Sequence, residues 1–184
     1  MSSLQIVGLG GSLNPDSVSV KALRVALLGA QEAGAQTELL ELRSLALPLF
    51  VPGMAPPQHA LDLADAVGRA DAMIWASPVY HGGASGSFKN ALDWLELLAK
   101  RTPPYLTGKV VGLIATAGGV QGLQAINAME FSVRALRGFT YPLTVPLDRA
   151  YQLVDGSGQL SDLTATERLL ALGKGVAQTA RRLA

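Results

Sequence analysis

Two rhythms of apolar and polar residues alternate along this chain. Apolar-rich runs at 4–11 (LQIVGLGG), 36–42 (QTELLEL), 71–78 (DAMIWASP), 109–116 (KVVGLIAT) and 139–147 (FTYPLTVPL) predict five strands. Between them, apolar residues recur at helical spacing, which predicts helices over 17–34, 58–70, 85–101 and 122–138. In the first of these, Leu23, Leu27 and Ala30 share a face and Gly34 supplies the stop. Asp155-Gly156 marks a small hairpin or turn. The last helix follows, with Thr164 and Glu167 at capping-box spacing.

Continuous apolar strands alternating with amphipathic helices predict an α/β fold, a five-stranded parallel sheet covered on both faces in a doubly wound three-layer α/β/α arrangement. At 184 residues and 49% hydrophobic composition, with no linker or repeat, residues 1–184 read as one domain. In the helix at 85–101, Phe88, Ala91, Leu92, Leu95 and Ala99 form the core stripe, and Trp94 and Leu97 fall off it. Either those two form a partner surface, giving a homodimer or homotetramer, or they belong to a second buried face within the monomer.

Composition narrows the chemistry. Without cysteine there is no disulfide, thiolate or Cys-ligated metal, and His59 and His81 are too few for a His-rich site. A net charge of +1 with scattered Lys and Arg provides no footprint for nucleic acid. No uncharged apolar run is long enough to span a bilayer, and no basic segment precedes a long apolar one near Met1. The expectation is a cytoplasmic protein that acts neither on membranes nor on nucleic acid.

Such sheets bind ligands outside the carboxyl ends of their strands, at a topological switch point. Three loops follow strand ends here. In GGSLNPDSVS, Gly10 and Gly11 permit a tight turn, and Ser12, Asn14, Ser17 and Ser19 stand at a helix entrance, where amides and dipole favour an anion. Gly8 and Gly10 begin a dinucleotide fingerprint, but Leu13 occupies its third glycine position, so a single terminal phosphate suits the loop better. The alternative is that Ser17 and Asp16 only cap the helix. In SPVYHGGASGS, Pro78 fixes the chain as it leaves the strand, and Val79, Tyr80, His81, Gly82 and Gly83 allow backbone groups to approach a planar ring. Gly118 and Gly119 can do the same from TAGGVQG, with Thr116 and Gln121 as polar neighbours. Ser85 lacks the Gly-x-Ser-x-Gly setting of a hydrolase nucleophile, and no acid and histidine pair completes a triad.

The motifs GGSLNPDSVS, SPVYHGGASGSFKNALDWL and TAGGVQGLQAINAM resemble, in order and spacing, the flavin-binding loops of the NADPH-dependent FMN reductase family. That resemblance implies a flavodoxin-like fold with FMN as cofactor and NADPH or NADH as reductant. It assigns Ser12, Ser17 and Ser19 to the FMN phosphate, Pro78 to Gly82 to the flavin, and Gly118 and Gly119 to its pyrimidine side. Where many members carry arginine this chain has Asn14, which removes a cation from the phosphate loop. The implied chemistry belongs to the cofactor: a reduced nicotinamide stacks on the open flavin face and gives hydride to N5, and a small acceptor then takes the electrons. No catalytic side chain is required; Tyr80 and His81 shape the stacking side. Free flavin, quinones, azo dyes and metal oxyanions are all acceptable acceptors. Lys100, Arg101 and Arg149 are candidates for a nucleotide 2′-phosphate. The loop LALPLFVPGMAPP, with Phe50 and Met54, either roofs the site or covers the sheet edge. A flavodoxin-type electron carrier shares the implied fold, but such carriers are usually strongly acidic. A flavin-free module of the same fold is the third class.

Overall fold

The computed structural model describes residues 3–183. Its parallel strands are β1 (Gln5–Gly10), β2 (Gln36–Glu41), β3 (Ala72–Tyr80) and β5 (Val110–Thr116), completed at one edge by β6 (Phe139–Thr140) and β7 (Val145–Leu147). A short β4 (Gly83–Ala84) folds back antiparallel on the end of β3. The order β2-β1-β3-β5-β6 reverses direction between β1 and β3, which places the switch point at their carboxyl ends.

Alternation along the strands builds two cores. Val7, Leu9, Met73, Trp75, Val111 and Leu113 face α3 (Gln58–Arg69), α4 (Gly86–Trp94) and α5 (Gly122–Ala135). Ile6, Ala72, Ile74, Ala76, Val110 and Ile114 face α1 (Val18–Glu32) and α6 (Leu163–Leu183). The α1–α6 crossing is close because it is made on glycine. A Cβ at Gly173 would collide with the Ala26 carbonyl, and one at Gly29 with the Leu170 backbone. The three-layer α/β/α arrangement, flavodoxin-like in strand order, is as expected from the sequence.

Several local expectations are corrected. The strand foreseen over 139–147 is two pieces, β6 and β7, both parallel to β5, and Pro142, which has no N–H to give a ladder, lies in the break. Pro78 does not leave the strand: it stays in register opposite Thr116, and β3 continues to Tyr80. The last helix begins one residue before Thr164, and its cap is Asp162, whose Oδ1 accepts from the Ala165 amide at 2.7 Å, so there is no Thr164–Glu167 capping box.

The helix foreseen over 85–101 ends at Trp94 and tightens into a 3₁₀ turn at Leu95–Leu98. Trp94 is not on an outer face. It is buried, its Nε1 donates to the Pro48 carbonyl at 2.9 Å, and Phe50 meets its ring edge-on at 5.2 Å. Asn90 holds the same loop at two points, accepting from the Phe50 amide at 2.8 Å and donating to the Pro48 carbonyl at 2.9 Å. Leu97 packs partly buried on the same core. Trp94 thus belongs to a second buried face, filled by the loop after α2 (Leu42–Leu45). Among the described residues no helix is long and apolar enough to cross a membrane.

Candidate functional site

The first two loops are joined through Gly11. Its amide donates to the Ala76 carbonyl at 2.7 Å, and its carbonyl accepts from Ser85 Oγ at 2.5 Å and Ser87 Oγ at 3.0 Å. Ser85 also caps α4, accepting from the Phe88 amide at 3.1 Å, while its own amide donates to Ser77 Oγ at 2.9 Å. A side chain at position 11 has no room: a Cβ would lie 2.9 Å from Phe88 and 3.0 Å from the Ala76 carbonyl. Ser85 is therefore a structural clasp, neither a nucleophile nor an ornament of a turn.

Beyond Gly11 the chain arrives at the start of α1 with three buried serines, Ser12, Ser17 and Ser19. Ser17 occupies the N-cap position without capping; its hydroxyl lies 2.8 Å from that of Ser19. Asn14 is exposed and accepts on Oδ1 from the Asp16 amide at 2.9 Å, and its own amide donates to Ser12 Oγ at 3.1 Å. The first amides of α1 thus have no side-chain cap, and hydroxyls line the approach to them. No cation stands within the loop. Lys21, on the first turn of α1, donates to the Gly158 carbonyl at 2.5 Å, and Arg24 pairs with Glu41.

The other two loops form an open shelf. β3 and β4 make a hairpin whose tip residues, His81 (φ 51°) and Gly82 (φ 81°), both lie in the left-handed region that a two-residue reversal requires. Tyr80, 58% exposed, and His81 stand free at this tip. Gly82 faces α5, with Gln124 Oε1 3.3 Å from where its Cβ would be. In the third loop Thr116 and Ala117 are buried, and Gly118 and Gly119 are exposed. Gly118 has open space where a side chain would project. Backbone bonds hold this loop to the end of β7 and the segment after it: Ala117 to Leu147, Arg149 to Gly119 and Ala150 to Ala117, each 2.9 Å. Asp148 Oδ1 accepts from the Gly122 amide at 2.9 Å and so caps α5.

Beside the first loop, Leu13, Leu42, Leu47, Leu49, Ser87 and Asn90 line a cavity of about 410 Å³. The loop carrying Phe50 therefore borders the first loop while packing on α4. Met54 is exposed.

The family description NADPH-dependent FMN reductase matches residues 4–152, which takes in all three loops. The chain belongs to that family. A relative described as NADPH-dependent FMN reductase ArsH from Acidithiobacillus ferrooxidans is 29% identical over 74% of this chain, and the chain spans 56% of that relative's length. An NADPH:quinone oxidoreductase from Arabidopsis thaliana is 31% identical over 90% of this chain and 86% of its own. Among solved structures, FerB, a flavoenzyme NAD(P)H:(acceptor) oxidoreductase from Paracoccus denitrificans, superposes with a TM-score of 0.79 at 20% identity, covering 97% of this chain and 98% of its own. The enzyme class and cofactor expected from the sequence are those of the NADPH-dependent FMN reductase family.

As a member of this reductase family, the chain brings the residues singled out for the flavin to the carboxyl ends of three strands. Ser12, Asn14, Ser17 and Ser19 stand beyond β1, Pro78 to Gly82 at the end of β3, and Thr116, Gly118 and Gly119 at the end of β5. Lys100 and Arg101 lie elsewhere: Arg101 pairs with Asp65 and its guanidinium crowds Gly68, on the side from which the strands start. Sequence reading missed Ser77, Ser87 and Asp148. A serine repeated at 77, 85 and 87 around a proline was the available signal for a clasp. Asp148 caps a helix lying 26 residues earlier, which no local pattern shows.

Proposed function

We propose that the whole chain acts as one FMN-binding domain and as an NAD(P)H-dependent reductase that passes electrons from nicotinamide through FMN to a small acceptor. The observation that carries this reading is the uncapped start of α1 lined by the buried hydroxyls of Ser12, Ser17 and Ser19, set beside two glycine-bearing shelves at the switch point. These residues suit FMN: amides and hydroxyls for its phosphate, and backbone groups of 78–82 and 116–119 for its ring. When bound, FMN supplies the hydride-accepting and electron-donating chemistry. The protein supplies position. Gly11 and its serine clasp fix the phosphate end, the Tyr80–His81 tip borders the stacking side, and Gly118 and Gly119 leave the ring accessible.

The FMN reductase and quinone oxidoreductase among the relatives support free flavin or a quinone as acceptor, and our proposal puts the reaction in the cytoplasm. Self-association also belongs to this proposal, on other residues than Trp94: Leu123 and Phe131 of α5 are exposed, as is Phe139 beside it. Sedimentation of Phe131→Glu against the wild type tests that surface; a monomeric wild type refutes it. The central test is anaerobic stopped-flow bleaching of protein-bound FMN with NADPH and NADH in turn. Reduction faster than that of free FMN is expected. If FMN binds and neither nucleotide reduces it faster, the electron-carrier reading replaces this one.

A further inference from the structure

We infer that the segment Arg149–Tyr151 recognises the adenosine 2′-phosphate end of NADPH and sets the preference for NADPH over NADH; this rests on the reductase reading above. Of the three cations singled out in the sequence for this phosphate, the fold leaves one beside the loop after β5. Arg101 is paired with Asp65 at the opposite end of the sheet, and Lys100 adjoins it. Arg149 is exposed and makes no ion pair among the described residues. Its neighbour Asp148 does not neutralise it, because that carboxylate is turned to the Gly122 amide at the start of α5.

The backbone at Arg149 is held in an unfavourable conformation. It lies in the left-handed region (φ 48°, ψ 43°), fixed on one side by its amide on the Gly119 carbonyl at 2.9 Å and on the other by the Gln152 amide on its own carbonyl at 2.8 Å. Glycine would adopt this conformation without cost, so the arginine side chain is present despite strain. The same bond ties it to the third loop, hence to the ring end of the site. Two residues on, Tyr151 is 62% exposed. A guanidinium forks two hydrogen bonds to a phosphate, and an exposed phenol ring offers a face to adenine. Together they match the two groups at that end of NADPH, the 2′-phosphate being the one NADH lacks.

The experiment compares kcat/KM for NADPH and NADH in the FMN-loaded wild type, Arg149→Gly, Arg149→Lys and Arg101→Ala, alongside calorimetric titration of the proteins with NADP⁺ and NAD⁺. Glycine removes the side chain and relieves the strain, so the fold is preserved. The wild type is expected to prefer NADPH. Arg149→Gly should lower that preference about 10- to 100-fold, the range for a hydrogen-bonded charge, with Arg149→Lys between and Arg101→Ala unchanged. NADP⁺ binding should weaken in parallel, and more at low salt than at high. A wild type indifferent to the 2′-phosphate, or a preference that survives Arg149→Gly, overturns the inference. If neither nucleotide reduces the flavin, the reductase reading fails by itself, and the NADP⁺ titration still decides whether Arg149 holds the 2′-phosphate.

Discussion

Beyond β1, Gly11 gives its amide to Ala76 and receives two serine hydroxyls on its carbonyl; beyond β5, Gly118 has nothing within reach of a side chain. The first loop is closed by packing on Phe88 and by side-chain hydrogen bonds from α4. The third is held by backbone bonds to Leu147 and the segment after it and by the Asp148 carboxylate on the Gly122 amide, and Gly118 and Gly119 are exposed. The difference suits the roles proposed for the two loops, the first on the phosphate of FMN and the third on its ring. A phosphate needs fixed donors at a fixed distance, whereas a ring that must meet two successive partners needs an uncovered face. On the proposed function, rigidity serves the holding of the cofactor and openness its turnover.

That contrast can be broken at either end. The largest effect is expected at the hairpin tip, where Gly82→Trp places a bulky group at φ 81° beside Gln124. Turnover with NADPH should fall on the order of 10- to 100-fold by displacing the nicotinamide, while flavin fluorescence still reports FMN binding. Gly11→Ala forces a methyl against Phe88 and the Ala76 carbonyl, and should lower unfolding free energy by about 2 kcal/mol in a urea titration. Ser85→Ala removes the α4 cap and one arm of the clasp, at a cost of about 1–2 kcal/mol in the same titration. Asn14→Arg sharpens the comparison from the other side. By adding a cation to a loop that has none, it should tighten FMN about tenfold at low salt and leave riboflavin unchanged. In the wild type, FMN should still bind more tightly than riboflavin; equal affinities would remove the phosphate role of Ser12–Ser19. Gly118→Ala, in open space and without a positive φ, should change stability by less than about 0.5 kcal/mol.

The layers of the fold were legible because β1, β3 and β5 are buried on both faces and read as continuous apolar runs. The loops were legible because glycines and serines at strand ends have few other uses. Trp94 was not, since helical spacing gives the direction of a side chain without saying what covers it. Here a proline-rich loop, anchored by Asn90, turns an outer face into core. The break between β6 and β7 escaped notice because Pro142 and Pro146 look alike in sequence. Pro146 is tolerated at the sheet edge opposite Ala115, and Pro142 is not in the ladder at all. Asp162 displaced Thr164 as the cap because two oxygen-bearing side chains stand within two residues, and hydrogen bonding alone chooses between them.

Both tryptophans of the chain are sealed from solvent, Trp75 in the middle of β3 and Trp94 beneath the proline-rich loop. Their emission is therefore expected to be that of indoles in an apolar setting, blue-shifted and little affected by soluble quenchers. Trp75 lies on the strand that runs out to Pro78 and the hairpin tip, and a flavin absorbs where such an indole emits. The molecule thus carries an internal optical gauge. Light absorbed in the core should pass to a bound ring, so that dimming of the tryptophan emission on adding FMN is expected to count occupied sites without any added dye.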